Sequence, residues 1–508
     1  LLLLFTQGQG LGGIDQARPW GAALSITADG SQFPAMAFLP VGDFDKLLET
    51  LATVIADPVD AGDDIFEIRR DPNTYFLKHH GEWVYVAQQK SALADLPDDP
   101  LKQLRGLDEE YDLGVSVNVQ NIPQALRDMA SDLLMQAMET QLAQQMDADD
   151  DETDEDDEDD EDAQALRLKL ARDKAEDFVK SINELDQVTV GLNIDRAESR
   201  TFLDVEITAV PGSETAQSFA EGAVESQGSL LAGALTPGSM LSLHANLPLT
   251  KDDRAQFKTM LERLREHWLE EIDDEDEVAD KELTKQLAGK AIDVLVQTID
   301  KDGRINAGLI VVPAQQADDE AEGAQLTAAL GAVVASGAKL EEVAKQFIAL
   351  AEYGEADLNV EKYQGHRFHV LTLPVPENEN LEQAKEMFGD PLKVVLAFGD
   401  QTCFVALGEK GAATIKQVID GSRKTPEEKL PPVTVALGMA PLLKLAAAQK
   451  SNVAAEKMAA GLAASGKDRV KFTATPVDNG LRLRLEGEEG VNKLLGSLLG
   501  NAAQMGGR

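Results

Sequence analysis

The fold is indicated by a pattern that the chain contains twice. Residues 115–123 read Val-Ser-Val-Asn-Val-Gln-Asn-Ile-Pro, and residues 433–441 read Val-Thr-Val-Ala-Leu-Gly-Met-Ala-Pro. In both stretches apolar residues alternate with small or polar ones, which is typical of a β-strand with one buried face. A proline follows each strand at the same distance. The pattern therefore predicts one strand present in two copies, at corresponding places in two related domains.

Three further matches occur in the same order along the chain, and the spacing between the copies changes only where one copy carries an insertion. The matched sets are Arg18 and its following apolar stretch with Arg304 and Leu309–Val312, Tyr85-Val86-Ala87 with Phe404-Val405-Ala406, and Asp186, Val188 and Val190 with Asp468, Val470 and Phe472. Such internal similarity predicts a tandem duplication. We assign a first repeat to residues 1–220, a linker to 221–238, and a second, complete repeat to 239–508.

Within each repeat, strand patterns alternate with helical ones. Apolar residues at helical spacing follow Phe44, and a meander of three strands lies between Ile65 and Ala87. The turns between successive strands are short, so the sheets should be mostly antiparallel and covered by helices on one face. The sequence predicts an α+β fold with two tandem related domains of this kind.

The second repeat begins with elements that the first lacks. A strand, Leu241–Ala245, and two helical stretches, at about 252–271 and 281–299, precede Arg304. Before Arg18 only Leu1–Thr6 resembles part of them, namely the end of the second helix. We expect the first repeat to be truncated at its N-terminus and the natural chain to begin upstream. The alternative is that Leu1–Phe5 is the remnant of a signal-peptide core.

Composition excludes several classes of function. The 508 residues carry a formal net charge of −43, which disfavours binding to nucleic acids and anionic membranes because these are polyanions too. A single cysteine excludes an internal disulfide framework and a cysteine-based metal cluster. No apolar run approaches the roughly 20 residues that a membrane span needs. We therefore predict no nucleic-acid partner and no membrane span.

Acidic residues are concentrated in one segment of the first repeat. Between Asp147 and Asp162 all residues except Ala148 and Thr153 are acidic, so residues 147–163 are expected to form a disordered loop. The spacing of an EF-hand is absent. The loop is interpreted as a solubilising insertion, and its alternative role is weak, low-affinity calcium binding at Asp149, Asp150, Asp151, Asp154, Asp156 and Asp157.

Other chemically active residue types do not form a recognisable site. His366 and His369 are three residues apart in an extended stretch, which places their rings on opposite faces of a strand. Cys403 lies in a strand pattern and corresponds to Val84 of the first repeat, which favours a packing role. No nucleophile-elbow, zinc-protease or phosphate-loop motif occurs. The sequence therefore predicts no catalytic, cofactor-binding or tight metal site, and a protein that is not an enzyme.

The chain resembles a family of uncharacterised exported two-repeat proteins of planctomycete-type bacteria. The resemblance is carried by four segments, which are Arg18-Pro19-Trp20-Gly21, Glu82-Trp83-Val84-Tyr85-Val86-Ala87, Val119-Gln120-Asn121-Ile122-Pro123 and Gly365-His366-Arg367-Phe368-His369. It implies an export signal upstream of residue 1 and a periplasmic or extracellular location. It implies no established activity.

Three hypotheses about function remain open. The first is a structural or interaction protein of the cell envelope or exterior that binds protein partners or assembles with itself. The second is a carrier that holds an apolar ligand such as a lipid in a cavity between sheet and helices. The third is a hydrolase whose catalytic residues form no recognisable motif. The first is our interpretation, because the duplication comes without any recognisable site chemistry.

Overall fold

The computed structural model confirms an α+β fold with antiparallel sheets. It describes residues 12–27, 29–149, 179–222, 229–274, 280–313, 326–350, 355–374, 385, 387–424, 430–450 and 452–505. The chain divides into two compact units, Leu1–Asn193 and Ile194–Arg508.

The described part of the first unit contains eight strands, three α-helices whose bounds are given below, and a helical stretch at residues 179–183. The strands are β1 (Gly21–Leu24), β2 (Ala35–Pro40), β3 (Val59–Asp60), β4 (Ile65–Arg70), β5 (Asn73–His80), β6 (Trp83–Ala87), β7 (Leu113–Asn118) and β8 (Leu185–Asp195, which ends just past the boundary between the units), and the helices are α1 (Phe44–Val54), α2 (Leu107–Glu110) and α3 (Gln124–Asp149).

Six of these strands form one antiparallel sheet in the order β1-β2-β6-β5-β4-β3, and β7 pairs with β8. Because side chains alternate along β6, Trp83 and Tyr85 join one core cluster and Val84 joins another on the opposite face. Helix α1 covers the Val84 face through Leu47 and Leu51. Short 3₁₀ turns between residues 90 and 104 cover the other face, which the sequence did not predict.

The second unit contains the remaining strands and eight further helices among the residues described. The strands are β9 (Arg200–Ala209), β10 (Leu241–Pro248), β11 (Arg304–Pro313), β12 (Leu326–Val333), β13 (Glu355–Tyr363), β14 (His366–Leu373), β15 (Leu392–Phe398), β16 (Thr402–Leu407), β17 (Val433–Gly438), β18 (Arg469–Val477) and β19 (Gly480–Glu488). The helices are α4 (Glu214–Gly222), α5 (Lys251–Asp274), α6 (Lys281–Asp302), α7 (Gly337–Leu350), α8 (Gly411–Lys424), α9 (Met439–Lys450), α10 (Val453–Ser465) and α11 (Glu489–Met505).

The strands of the second unit run in the order β13-β14-β15-β16-β12-β11-β10-β17-β18-β19-β9, and every described pair is antiparallel. The first six of these strands repeat the order of the six-stranded sheet in the first unit, read from its other end. In that comparison β13, β14, β15, β16, β12 and β11 correspond to β3, β4, β5, β6, β2 and β1. The pair β17–β18 likewise repeats β7–β8. All four sequence matches fall on strands that correspond in this comparison. The shared topology supports the predicted duplication.

Two features differ from the predicted domain limits. The first compact unit ends at Asn193 rather than near residue 220, because β9 pairs along its whole length with β19. The second half of the predicted linker is also not an exposed connection. Leu231 and Ala234 are buried in a core cluster together with Ile415, Val418 and Phe404. The segment that joins the repeats in sequence is therefore part of the second unit's core.

Candidate functional site

The site with the clearest geometry is a row of apolar side chains that crosses the sheet of the second unit. Cross-strand pairing connects one residue from each of nine neighbouring strands. We call this set the apolar row: Leu396, Val405, Leu330, Leu309, Leu243, Val435, Phe472, Leu485 and Leu203. Since neighbouring strands lie about 4.8 Å apart, the row is roughly 38 Å long.

Parallel rows two residues away extend the apolar surface on both sides. One continues it with Val394, Leu407, Ala328, Val311, Leu241, Leu437 and Val470, and the other with Ala332, Ala307, Ala245, Val433, Ala474, Leu483 and Val205. Side chains two residues apart on one strand project from the same face. The three rows together define what we call the apolar face.

The apolar face is open along much of its length. In the apolar row, Leu330 is 51% exposed, Leu485 47%, Val405 42% and Leu203 39%, and the other members are half-buried. A single exposed leucine is ordinary, but a contiguous apolar patch of several hundred Å² is characteristic of an interaction site. The exposure therefore distinguishes this face from a surface that carries isolated apolar residues.

The opposite face of the same sheet is covered. Its apolar side chains, among them Ile310 and Phe404, pack beneath helix α8 and the segment around Leu231. Toward β9 this face is charged instead. Arg484 binds Asp204 through two hydrogen bonds of 2.7 Å, and Arg482 binds Glu206 at 2.6 and 2.8 Å.

The alternation of the sequence explains why one sheet has such different faces. In β19 the arginines 482 and 484 alternate with Leu481, Leu483 and Leu485, and β9 alternates acidic with apolar residues in the complementary register. Pairing of the two strands therefore brings opposite charges together on one face and apolar side chains together on the other.

A buried ionic cluster lies at one end of the apolar row, where His369 is the cross-strand neighbour of Leu396. The Glu341 carboxylate, on α7, is 4% exposed and accepts hydrogen bonds of 2.6 Å from Lys345 Nζ and from Arg367 Nε. Burial alone raises the pKa of Glu341, but these two cations outweigh it and hold the pKa at about 2. The carboxylate is therefore a fixed anion in a satisfied ion pair.

His369 completes this cluster. Its Nδ1 accepts a hydrogen bond of 3.1 Å from the Asn359 backbone N–H, so the ring proton is on Nε2, which lies 3.4 Å from Glu341 Oε1. Burial lowers the pKa of His369, so its ring is neutral near pH 7. His366 lies on the other face of β14, with its Nε2 2.8 Å from Thr402 Oγ1. The two histidines do not converge on one site, as their spacing predicts.

The remaining predicted positions contribute no assembled site. Asp149 is the last residue of α3, and Asp150, Asp151, Asp154, Asp156 and Asp157 lie outside the described residues, as does most of the loop 147–163. Burial raises the pKa of the Cys403 thiol to about 11, which leaves it protonated and weakly nucleophilic. Across the residues that the structure describes, no group of three or more His, Cys, Asp or Glu side chains is placed to bind a metal ion.

The apolar face was not predictable from the sequence, although the strands that form it were. Alternation showed which residues of a strand share a face, but it could not show which face helices would leave uncovered. The described helices also include none that is long and apolar enough to cross a membrane.

The fold and the site together define an α+β protein with antiparallel sheets and an open apolar sheet face. No family model, curated protein or solved structure that we compared with the chain matches it.

Proposed function

We propose that this protein is a non-enzymatic structural or interaction protein that assembles with itself through the apolar face. The observation that carries the proposal is the continuous apolar row, whose four most exposed members lie on strands from β16 to β9. Burying such a surface is the main favourable contribution to protein association.

The dimensions of the apolar face favour a second copy as its partner. Three rows about 7 Å apart, the central one about 38 Å long and the two flanking ones about 29 Å long, cover roughly 500 Å². Two copies packed face to face would bury about 1,000 Å², which is near the lower limit for a specific interface. Two sheet faces with interdigitating aliphatic side chains can pack about 10 Å apart, as the layers of a β-sandwich do.

Two features support a role without catalysis. The Glu341 carboxylate is neutralised by Lys345 and Arg367, so it is poorly suited to accept a proton at neutral pH. The thiol of Cys403 is protonated because burial raises its pKa to about 11.

The proposed location is the periplasm or the exterior of a bacterial cell, and the proposed partners are proteins. The location rests on the resemblance to exported proteins, and the single cysteine is compatible with it. Fractionation of cells that produce the natural protein, with an antibody against this chain, tests the proposal. Recovery in the cytoplasm alone would contradict it.

The second candidate is a carrier of an apolar ligand, which the apolar row also favours because it could hold an extended acyl chain. A carrier is expected to enclose most of its ligand in a pocket. Two open cavities in the described part, of about 300 and 800 Å³, lie between α6 and α7 and between α5 and α6, and charged side chains contribute much of their lining. This arrangement favours self-association over enclosure of a lipid.

Paired substitutions on the apolar row test self-association. We expect the parent chain to form dimers or larger assemblies at micromolar concentration, and the variant Leu330→Glu/Leu485→Glu to be monomeric, because four glutamates would then face one another across the interface. The control is Val453→Glu/Leu495→Glu, which changes exposed apolar residues on α10 and α11. Light scattering after size-exclusion chromatography measures the mass.

A strictly monomeric parent chain, or an assembly that persists in the Leu330→Glu/Leu485→Glu variant, would contradict the proposal. Native mass spectrometry of the same samples distinguishes the second candidate. A monomer that carries a lipid, which the double variant loses and the control retains, would establish the carrier instead.

A further inference from the structure

We propose that His244 and Thr434 bind one internal water molecule between strands β10 and β17. The two residues are cross-strand neighbours on the covered face of the sheet in the second unit, where His244 is 0% exposed and Thr434 1%. Neither ring nitrogen of His244 nor the Thr434 hydroxyl has a hydrogen-bond partner among the residues that the structure describes. Two unpartnered polar side chains therefore lie side by side in the interior.

The chemistry and spacing of this pair suit a bridging water. A neutral imidazole carries one N–H donor and one acceptor nitrogen, and a threonine hydroxyl can both donate and accept a hydrogen bond. Burial of these groups without a bond costs the free energy of their lost hydration. Directly opposed side chains on neighbouring strands have Cβ atoms about 5 Å apart, which leaves a gap that a single water can bridge. Buried waters characteristically bond to polar groups that are otherwise unsatisfied.

The β11 side of His244 is apolar and filled. The neighbour of His244 on β11 is Gly308, which has no side chain of its own. A Cβ atom added to Gly308 would lie 3.0 Å from the Cβ of Ala234 and 3.2 Å from the Cβ of Leu231. Because the apolar segment occupies that side, a polar ligand of His244 is expected on the side of Thr434.

The β18 side of Thr434 is polar but carries balanced charge. Thr473 is the next residue across the sheet, followed by Arg484 and Asp204. Arg484 binds Asp204 through two hydrogen bonds of 2.7 Å, so the charges of this pair compensate each other. A neutral ligand is therefore favoured over an ion. His244 and Thr434 line neither of the two open cavities of this unit, which favours a ligand no larger than water.

The position of the site gives the water a structural role. Strand β10 pairs with β11 along its whole length but with β17 only over Leu241–Ala245, and His244 lies within that short pairing. A water bonded to both side chains adds hydrogen bonds where the two parts of the sheet meet. The site lies on the covered face, so the inference is independent of self-association through the apolar face.

A crystal structure of the unmodified chain, at a resolution that shows ordered waters, tests the proposal directly. We expect an electron-density peak within about 2.7–3.2 Å of Thr434 Oγ1 and of one ring nitrogen of His244. A direct hydrogen bond between the two side chains would overturn the proposal. Well-defined density for both side chains without a peak between them would overturn it too.

A double-mutant cycle gives a second test in solution. Either His244→Leu or Thr434→Val alone removes one partner of the water, while the two together leave no polar group to satisfy. We therefore expect the unfolding equilibrium constant of the double variant to differ by about tenfold from the value that independent effects would give. Urea unfolding at about pH 8, above the ordinary pKa of histidine, keeps residue 244 neutral in the folded and the unfolded chain.

The control cycle combines His244→Leu with Thr327→Val. Thr327 is also fully buried, with a hydroxyl that has no hydrogen-bond partner within the described part of the chain, but it lies on β12 opposite Val312. Its effect should add to that of His244→Leu within about twofold. Additive effects in the Thr434 cycle, or equal coupling in the two cycles, would contradict a water shared by His244 and Thr434.

Discussion

At the scale of single residues, His244 is unusual because it is ionisable, fully buried and without a partner. It is 0% exposed in the middle of β10, and neither ring nitrogen has a hydrogen-bond partner among the residues described. Burial therefore lowers its pKa to about 4. The sequence singled out other histidines and not this one, since only packing shows that it is enclosed.

The buried His244 should reduce stability in mild acid. Its folded-state pKa lies below the ordinary value of about 6.5, so the unfolded chain binds a proton first as the pH falls, and stability decreases between about pH 6.5 and 4. Replacement by leucine removes this dependence. We therefore compare the free energy of unfolding of His244→Leu with that of the parent. We expect this difference to be about 2 kcal/mol more favourable to the variant at pH 5 than at pH 7.

Urea-dependent hydrogen exchange of β10 at the two pH values measures this difference. The control His267→Leu changes an exposed histidine of α5 and should show a much smaller one. A His244→Leu variant whose stability relative to the parent is the same at both pH values would contradict burial of a neutral ring.

At the scale of elements, close backbone approach decides where the segment before β10 packs. A Cβ atom added to Gly233 would lie 2.0 Å from the Val418 carbonyl oxygen, and the Gly233 N–H donates a hydrogen bond of 2.9 Å to Ser422 Oγ. Gly421 of α8 faces Gly233 at similarly short range. Two glycines thus allow this segment to lie directly on the helix and to place Leu231 in the core.

We expect Gly233→Ala to destabilise the second unit by about 2 kcal/mol or more, because the added methyl group has no room and the segment must move. The matched control is Gly461→Ala, in the exposed interior of α10, where nothing lies within 4 Å of the added atom. It should stabilise by about 0.5–1 kcal/mol, since alanine is the better helix former. Calorimetric melting temperatures of the two variants should therefore move in opposite directions.

Most elements were predictable because their signals are local. Alternation identified β7, β10 and β17, and helical spacing identified α1, α5 and α6. The pairing of β9 with β19 was not predictable in this way, because the two strands are almost 300 residues apart and either could satisfy its alternation with another partner. The exposed strand β13 was also missed, although Ala356, Leu358 and Val360 alternate with polar residues, because its pairing with β14 shifts register between Asp357 and Glu361 and so breaks the simple pattern of a paired strand.

At the scale of the whole molecule, the charge of −43 opposes self-association while the apolar face favours it. Salt screens the repulsion between two acidic copies and does not weaken apolar contact. We therefore expect the dissociation constant of the assembly to fall by roughly fivefold to tenfold when sodium chloride is raised from about 50 to 500 mM.

Sedimentation equilibrium over this salt series measures the dissociation constant. The control is the Val453→Glu/Leu495→Glu variant, which adds the same charge as Leu330→Glu/Leu485→Glu but outside the apolar face. Association that weakens as salt increases would show that attraction between opposite charges, rather than the apolar face, holds the copies together.

The sequence by itself determined the α+β class, the antiparallel strands and the duplicated order of elements. Each of these follows from alternation, spacing and short turns, which are properties of neighbouring residues. Only the tertiary structure decided that β9 pairs with β19, that Leu231 is buried, and that one sheet face remains open. These depend on contacts between residues far apart in the chain. A strand's sequence shows that it has two different faces, but the packing of distant helices decides which of them is covered.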